Sequence, residues 1–503
     1  MKDGKFSVKP KLSLDDADFK RAFVEDHLVI DCAEIRLVQK GSKSPRSYSA
    51  PGFIQVGAQN GVEVRVVCPR PPSDPYDPLA FFKRDSSFTS GVLVPQDHYF
   101  SLEARDIAGN LWTCASGSLD KDDREDSFVL TFSSQHLRME APSDARRSYA
   151  HLVFLDDLEF PKNAVQSVTI DKGGKRQSLS TSRDCSEGDV AGMHISYAPK
   201  NSRPDEMCST FVAIADEGVE PPLGFEDRLI EAMRFCTATM ATPVMSEVSA
   251  NGVKFIDLSK ARSLNKGIVQ APISHYGFDK DFYKLFECYF IYACENAKGK
   301  DYAPLSAKVG GLFALKGVWI DTVVLLLCVA VESLLGEEQF KSFGKPKQGL
   351  LDDLKKLVEL VQQAPVGEGL VKRVLGAING MKSQSAADRL HALIEAGVLA
   401  EDDRKTWKKY RNTSAHGSFE IDPEEFQQVL DAAYRLMAII YKLVFMRIGY
   451  SGVHSNFASR GWRVDQFDSL AYQAALDAKV RGEVTHVVDS LAPEADVGTP
   501  PIR

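Results

Sequence analysis

The feature that most limits what this chain can fold into is a change of period partway along it. Over roughly the first 215 residues apolar and polar side chains alternate, which is the period of a half-buried strand. Val62, Val64 and Val66 alternate with Glu63 and Arg65, and Phe100, Leu102 and Ala104 with Ser101 and Glu103. Further short runs, FVLTF (128–132), HLVFL (151–155), SVTI (167–170), MHISYA (193–198) and TFVAIA (210–215), carry the same texture. Asn60-Gly61 and Asn251-Gly252 mark hairpins, with a type I′ turn expected because both central residues tolerate positive φ. The acidic run LDKDDREDS (119–127) reads as a solvated loop, as does the acidic stretch Asp156, Asp157 and Glu159. Many short strands separated by turn signals predict a sandwich or barrel-like domain, with sandwich-like the preferred form.

From about Asp279 the period becomes helical. An isolated helix, PPLGFEDRLIEAMRFC (221–236), precedes the change. Helices are then expected over 281–297, 318–336, 350–363, 385–397, 401–417 and 422–449. Gly336 and Gly397 mark C-terminal ends, and Asp422 with Pro423 a start. The fold class is therefore α+β and multidomain. A β-rich domain spans 1–270, an all-α helical bundle 271–465, and an extension 466–503 whose end, APEADVGTPPIR, has a disordered composition.

Composition narrows the function. The 503 residues are 44% hydrophobic and 26% charged, with a net charge of −8. That excludes rods, disulfide miniproteins and generally basic nucleic-acid coats, so any contact with RNA or DNA needs a local basic patch. Nine cysteines without a C-x-x-C pair fit a reducing cytoplasm and give no zinc framework. MKDGKFSVKPKLSLDD lacks the apolar core of a signal peptide. The apolar run Val323–Val331 is too short to span a bilayer and reads as a buried core helix. A cytoplasmic protein with no membrane partner is expected.

P-loop, zincin, serine-hydrolase and zinc-finger signatures are absent, and neither cofactor nor metal is expected. The informative segment is WKKYRNTSAHG (407–417), in which Arg411 and Asn412 are followed by His416 and a glycine stop. Arg followed four to six residues later by His is a loose pattern: composition alone predicts about 1.6 matches. The chain has five, at Arg21/His27, Arg146/His151, Arg411/His416, Arg447/His454 and Arg481/His486. Only Arg411/His416 combines a late helix, an adjacent Asn, a glycine stop and long apolar helices on both sides.

With AVESLLG (330–336) before it and GYSG (449–452) after it, this segment resembles the HEPN superfamily of ribonucleases, whose members carry Arg, four to six residues, then His. The helical frame over about 275–465 is similar to the ApeA-like HEPN group of phage-defence proteins, which join a β-rich N-terminal domain to a C-terminal HEPN domain. The resemblance implies a HEPN helical-bundle domain acting as a metal-independent endoribonuclease. Attack of a 2′-hydroxyl on the adjacent phosphate would leave a 2′,3′-cyclic phosphate and a 5′-hydroxyl. It implies abortive infection as the outcome, transfer RNA as a candidate substrate, and a β domain that senses a phage-derived trigger or restrains the nuclease.

The residue types suit that chemistry. His416 would move protons near neutral pH, Arg411 would clamp the phosphate, and Asn412, i, i+4 from His416, would orient the imidazole. Arg404, Lys405, Lys408, Lys409 and Arg411 form the local basic patch, with Trp407 and Tyr410 interleaved and expected in the core. Arg411 lies about 140° round the helix from His416, so a symmetric homodimer through this helix is expected to complete one cleft. Glu332, on the stripe of Asp321, either faces water or positions Arg411. Tyr450, His454, Arg460 and Trp462 either flank RNA or belong to a packed connecting loop. Two other readings remain: a catalytically silent HEPN dimer serving as an adaptor, and a carbohydrate- or ligand-binding enzyme domain in the β-rich part with the helices as scaffold.

Overall fold

The computed structural model describes residues 13–70, 93–123, 126–165, 167–172, 175–180, 184–200, 207–262, 267–274, 276–315, 317–341, 348–381, 384–415 and 425–480. The side chains of 123, 167–180, 341, 348, 413–415 and 480 lie outside that description. The chain is α+β and divides into two compact units, Met1–Asn265 with His275–Cys294, and Lys266–Ser274 with Glu295–Arg503. The expected boundary at 270/271 falls inside the short segment Lys266–Ser274. The first long helix, expected to open the helical domain, has its residues through Cys294 in the β unit.

In the first unit, β1 (Leu28–Gln39), β2 (Ser47–Gly57), β3 (Gly61–Pro69), β4 (Tyr99–Asp106), β5 (Leu111–Asp123) and β6 (Ser127–Ser134) pair in the order β5-β4-β1-β2-β3-β6. A further β6–β5 pairing closes them into a six-stranded antiparallel barrel. Closure leaves no barrel edge to pair with another chain. This corrects the sandwich-like expectation: alternation says which side chains point inward, but not whether the sheet closes on itself. Ile35, Leu37, Ile54, Val64, Trp112, Leu130 and Phe132 fill the interior. The helix α1 (Ala17–Val24) adds Phe19 and Phe23, its first turn capped by Asp16, which accepts from the Asp18 and Phe19 N–H groups. Gly117 is required where it stands, because a Cβ there would lie 2.3 Å from the Phe132 ring.

The run LDKDDREDS is not the expected loop. Leu119–Asp123 continue β5, with Leu119 opposite Phe132 and Asp122 opposite Val129. The first half of β5 instead pairs with β7 (His136–Pro142), which leads into an open antiparallel sheet. That sheet continues through β8 (Tyr149–Phe154), β11 (Ser186–Val190), β12 (Met193–Ala198), β13 (Ser209–Ala215), β14 (Met245–Ala250) and β15 (Val253–Ser259), in the order β7-β15-β14-β8-β13-β12-β11. β9 (Ser167–Lys172) and β10 (Lys175–Ser180) form a separate hairpin. One face of the open sheet is dry, because Phe211 and Tyr197 meet Phe160 and residues of α3 (Asp279–Ala297), including Phe282 and Phe286. Nearby, α2 (Phe225–Thr237) stacks Phe235 on Tyr289 at 4.6 Å.

The second unit is helical: α4 (Pro304–Val309), α5 (Ile320–Leu335), α6 (Glu338–Lys341), α7 (Gln348–Gln363), α8 (Glu368–Met381), α9 (Ala386–Glu395), α10 (Glu401–Ala415), α11 (Phe426–Ile448) and α12 (Ser469–Val480). Between α11 and α12, β16 (Ser451–Ser455) and β17 (Val464–Asp468) form a hairpin. The central pair is α5 on α11, with α9 and α10 also packed on α5. Val323, Val324, Leu327, Cys328 and Val331 of α5 are buried as expected. Leu326 and Val329 of the same run instead face outward, 37% and 53% exposed. Gly397 has φ +79° and ends α9, whose start is a capping box between Ser385 and Asp388. No helix among the described residues is long and apolar enough to cross a membrane.

Candidate functional site

The helix α10 is oriented by its acidic first turn. Asp403 is 4% exposed, accepts from the Ala400 N–H at 2.9 Å and pairs with Arg435 Nη1 of α11 at 3.0 Å. At the spacing i, i+4, i+7 from Asp403, Trp407 and Tyr410 continue one buried stripe. The Trp407 indole donates to the Cys328 carbonyl of α5 at 3.4 Å, and the Tyr410 hydroxyl to the Gln428 carbonyl of α11 at 3.4 Å. Both rings sit in the core, as the sequence reading preferred, so neither is presented for base stacking.

Once that stripe is fixed, the next residue emerges beside α5. Arg411 Nε donates to Glu332 Oε1 at 2.8 Å, with the two side chains 48% and 36% exposed. The structure thus brings Arg411 and Glu332 together, as one of the two sequence readings had it. Asn412 is exposed. His416, which follows the helix directly, lies outside the described residues, as do Gly417, Asp422 and Pro423. The pairs Arg21/His27 and Arg146/His151 lie in the β unit, and Arg481/His486 lies outside the described residues.

The basic patch is weaker than its bare count. Arg404 Nε bonds Glu401 Oε2 at 3.2 Å, and Lys405 Nζ lies 3.4 Å from Asp402 Oδ1, so the first turn of the helix partly neutralises two of its own cations. The Arg404 hydrogen bond and charge hold the Glu401 carboxyl below its ordinary pKa. Lys408 and Lys409 are exposed, and Lys409 Nζ lies 5.0 Å from the Tyr410 ring centroid. Toward the C-terminal end of α10 the exposed cations are Lys408, Lys409 and the Glu332-paired Arg411, with Asn412 beside them.

Residues after α11 are mostly structural. Tyr450 is fully buried and its hydroxyl donates to the Val453 carbonyl at 2.7 Å. His454 packs between Phe445 and Phe467 and is 4% exposed; burial lowers its pKa, the Lys442 charge adds to that, and the Ser455 carbonyl and Asp465 oppose it. Trp462 is 41% exposed and Arg460 is exposed. The connecting loop of the sequence reading is the β16–β17 hairpin. Sequence reasoning missed the Asp403–Arg435 pair; the signal was an acid four residues before Trp407 on the buried stripe. Asp157, read as a solvated acid, accepts from the Lys200 N–H at 2.6 Å and closes a local loop.

The chain matches no family model, no curated protein and no solved structure.

Proposed function

We propose that this chain is a metal-independent endoribonuclease of the HEPN type, with Arg411 as the phosphate clamp, His416 as the proton-transfer residue and Asn412 as its orienting neighbour. The observation that carries the reading is the Arg411–Glu332 contact on an exposed surface. A carboxylate oxygen takes the Nε edge of the guanidinium, which has five N–H donors in a planar fork. A fixed guanidinium can stabilise charge building on a phosphate without reorganising at the moment of reaction. His416 then withdraws the 2′-hydroxyl proton or supplies one to the leaving 5′-oxygen, and the products carry a 2′,3′-cyclic phosphate and a 5′-hydroxyl.

The same surface supports self-association. Leu326 and Val329 of α5 are exposed at i and i+3, and Glu332 follows at i+6. An apolar stripe leading to the Arg411 pair suits an isologous contact between two copies, which would place two Arg–His sets in one cleft. Lys408 and Lys409 would guide RNA to it. Transfer RNA is the proposed substrate, abortive infection the outcome, and the β unit the element that answers a phage-derived trigger.

The test is RNA cleavage by wild type beside His416→Ala, with the end groups of the products determined. Cyclic-phosphate ends, unchanged activity in EDTA and their loss in the variant are expected. A variant that cuts as well as wild type removes the assignment of cleavage to this motif, and no cleavage by either protein favours a catalytically silent dimeric adaptor.

A further inference from the structure

The open sheet of the first unit carries a built cavity on the face opposite its dry one. Cross-strand partners in an antiparallel sheet project to the same side. Registers Leu152–Phe211, Phe211–Tyr197 and Tyr197–Ser186 put one row against the aromatic core, and all four residues are buried. The alternate row, His151–Val212–Ser196–Glu187, faces the other way. There the floor is made of small side chains, Ser196, Ala198, Thr210 and Val212, and it sits in a cavity of about 310 Å³. Asp15 and Lys20 line it from the segment that carries α1, Glu187 from the edge strand β11, and His151 from β8. His151 is 8% exposed, and its Nδ1 lies 3.7 Å from Asp15 Oδ1.

The lining selects a chemistry. Carboxylates accept hydrogen bonds only, so Asp15 and Glu187 ask for donors from α1 and from β11. Ser196 and Thr210 both donate and accept from the floor, while Val212 and Ala198 offer an apolar surface for ring C–H groups. Two carboxylates, Asp15 and Glu187, line the cavity against one lysine, Lys20, which disfavours phosphate. The volume lies at the small end of ligand sites, roughly 300–1,000 Å³, which excludes an oligonucleotide or folded peptide.

We propose that this cavity binds a small phosphate-free ring polyol, a sugar or a nucleoside, with Glu187 and Asp15 accepting from its hydroxyls and Ser196 and Thr210 beneath it. The site is independent of Arg411 and His416, so it stands whether or not the chain cleaves RNA.

Titration calorimetry of the full-length protein with D-glucose, D-ribose and adenosine tests it, with inorganic phosphate and n-propylammonium as counter-probes. Saturable binding of at least one polyol is expected, and which one binds tells sugar from nucleoside. Glu187 is exposed, so Glu187→Gln leaves the melting temperature unchanged and weakens binding about tenfold, the worth of one hydrogen bond to a charged group. Ser196→Leu fills the floor and abolishes binding; should it fail to fold, Glu187→Gln still decides. No heat from any of the three polyols, tighter binding of phosphate or propylammonium, or an affinity indifferent to Glu187→Gln overturns the proposal.

Discussion

Replacing Glu332 by Gln separates a positioning role from a structural one. The pair it forms with Arg411 is short, 2.8 Å, but its side chains are 36% and 48% exposed. Ion pairs in that setting contribute about 0.2–1 kcal/mol, so Glu332→Gln costs less than about 1 kcal/mol of stability. For a helical unit of this size that lowers Tm by about 2–4 °C at most. The expected effect on cleavage is larger. A Gln carbonyl still accepts from Arg411 Nε but no longer fixes the cation by charge, and about a tenfold fall in single-turnover rate follows, with RNA affinity nearly unchanged. Arg411→Lys, which keeps the charge and loses the planar fork, falls about a hundredfold. The exchange Glu332→Arg with Arg411→Glu restores the ion pair and the melting temperature, not the activity. Single-turnover cleavage beside thermal melts measures all of these. A loss of more than about 3 kcal/mol in Glu332→Gln, or cleavage by Arg411→Lys at the wild-type rate, refutes the reasoning.

Three further outcomes follow from the packing. Asp403→Ala removes a carboxylate 4% exposed and leaves Arg435 without its partner, so urea unfolding should show a loss of about 3 kcal/mol, several times that of Glu332→Gln; equal losses would contradict the burial argument. Ala191 holds φ +48° in the β11–β12 turn, where an L-residue costs about 1 kcal/mol, so Ala191→Gly should raise the urea midpoint, and a lowered midpoint would show that the turn is not strained. His454 has its pKa lowered, chiefly by burial. Because the folded value lies below the unfolded one, its stability is fully present above about pH 6.5 and is lost as pH falls through the folded value. His454→Phe should flatten that decline in melts from pH 8 to pH 5, and an identical decline in both proteins would exclude His454 as its source.

The two Asn-Gly signals show what a dipeptide can and cannot say. Asn251 and Gly252 have φ of 54° and 77° between the paired Ala250 and Val253, the expected two-residue type I′ turn. Asn60-Gly61 does not form it. Only Gly61 has positive φ, the loop is three residues long, and Asp26 Oδ1 accepts from both the Gln59 and Asn60 N–H groups. A side chain more than thirty residues away selects the turn, which no local pattern records. Conversely, Ala191-Gly192 forms the two-residue turn between Val190 and Met193 without that signature, and the Ala191 N–H is held by Glu287 of α3 at 2.8 Å.

The sequence reading prefers Trp407 and Tyr410 in the core, where both are buried, and the structure supplies the reason: 3.6 residues per turn puts both on the stripe that Asp403 begins. The continuous apolar run Val323–Val331, by contrast, reads as buried throughout, and Leu326 and Val329 depart from that reading. A helix apolar all round has no polar face to reveal which side meets solvent, so the outward side of α5 is set by where α10 and α11 pack. The barrel failed for a related reason. Leu119 opposite Phe132 is a non-local pairing that turns a charged run into the closing strand, since Asp120 and Asp122 point outward while Leu119 points in. Alternation survives intact in that run, and density of charge hid it. The helix and the barrel therefore err in opposite directions: apolar residues were assigned to the core beyond what neighbours cover, and charged residues were denied a strand whose outer face is free to carry them.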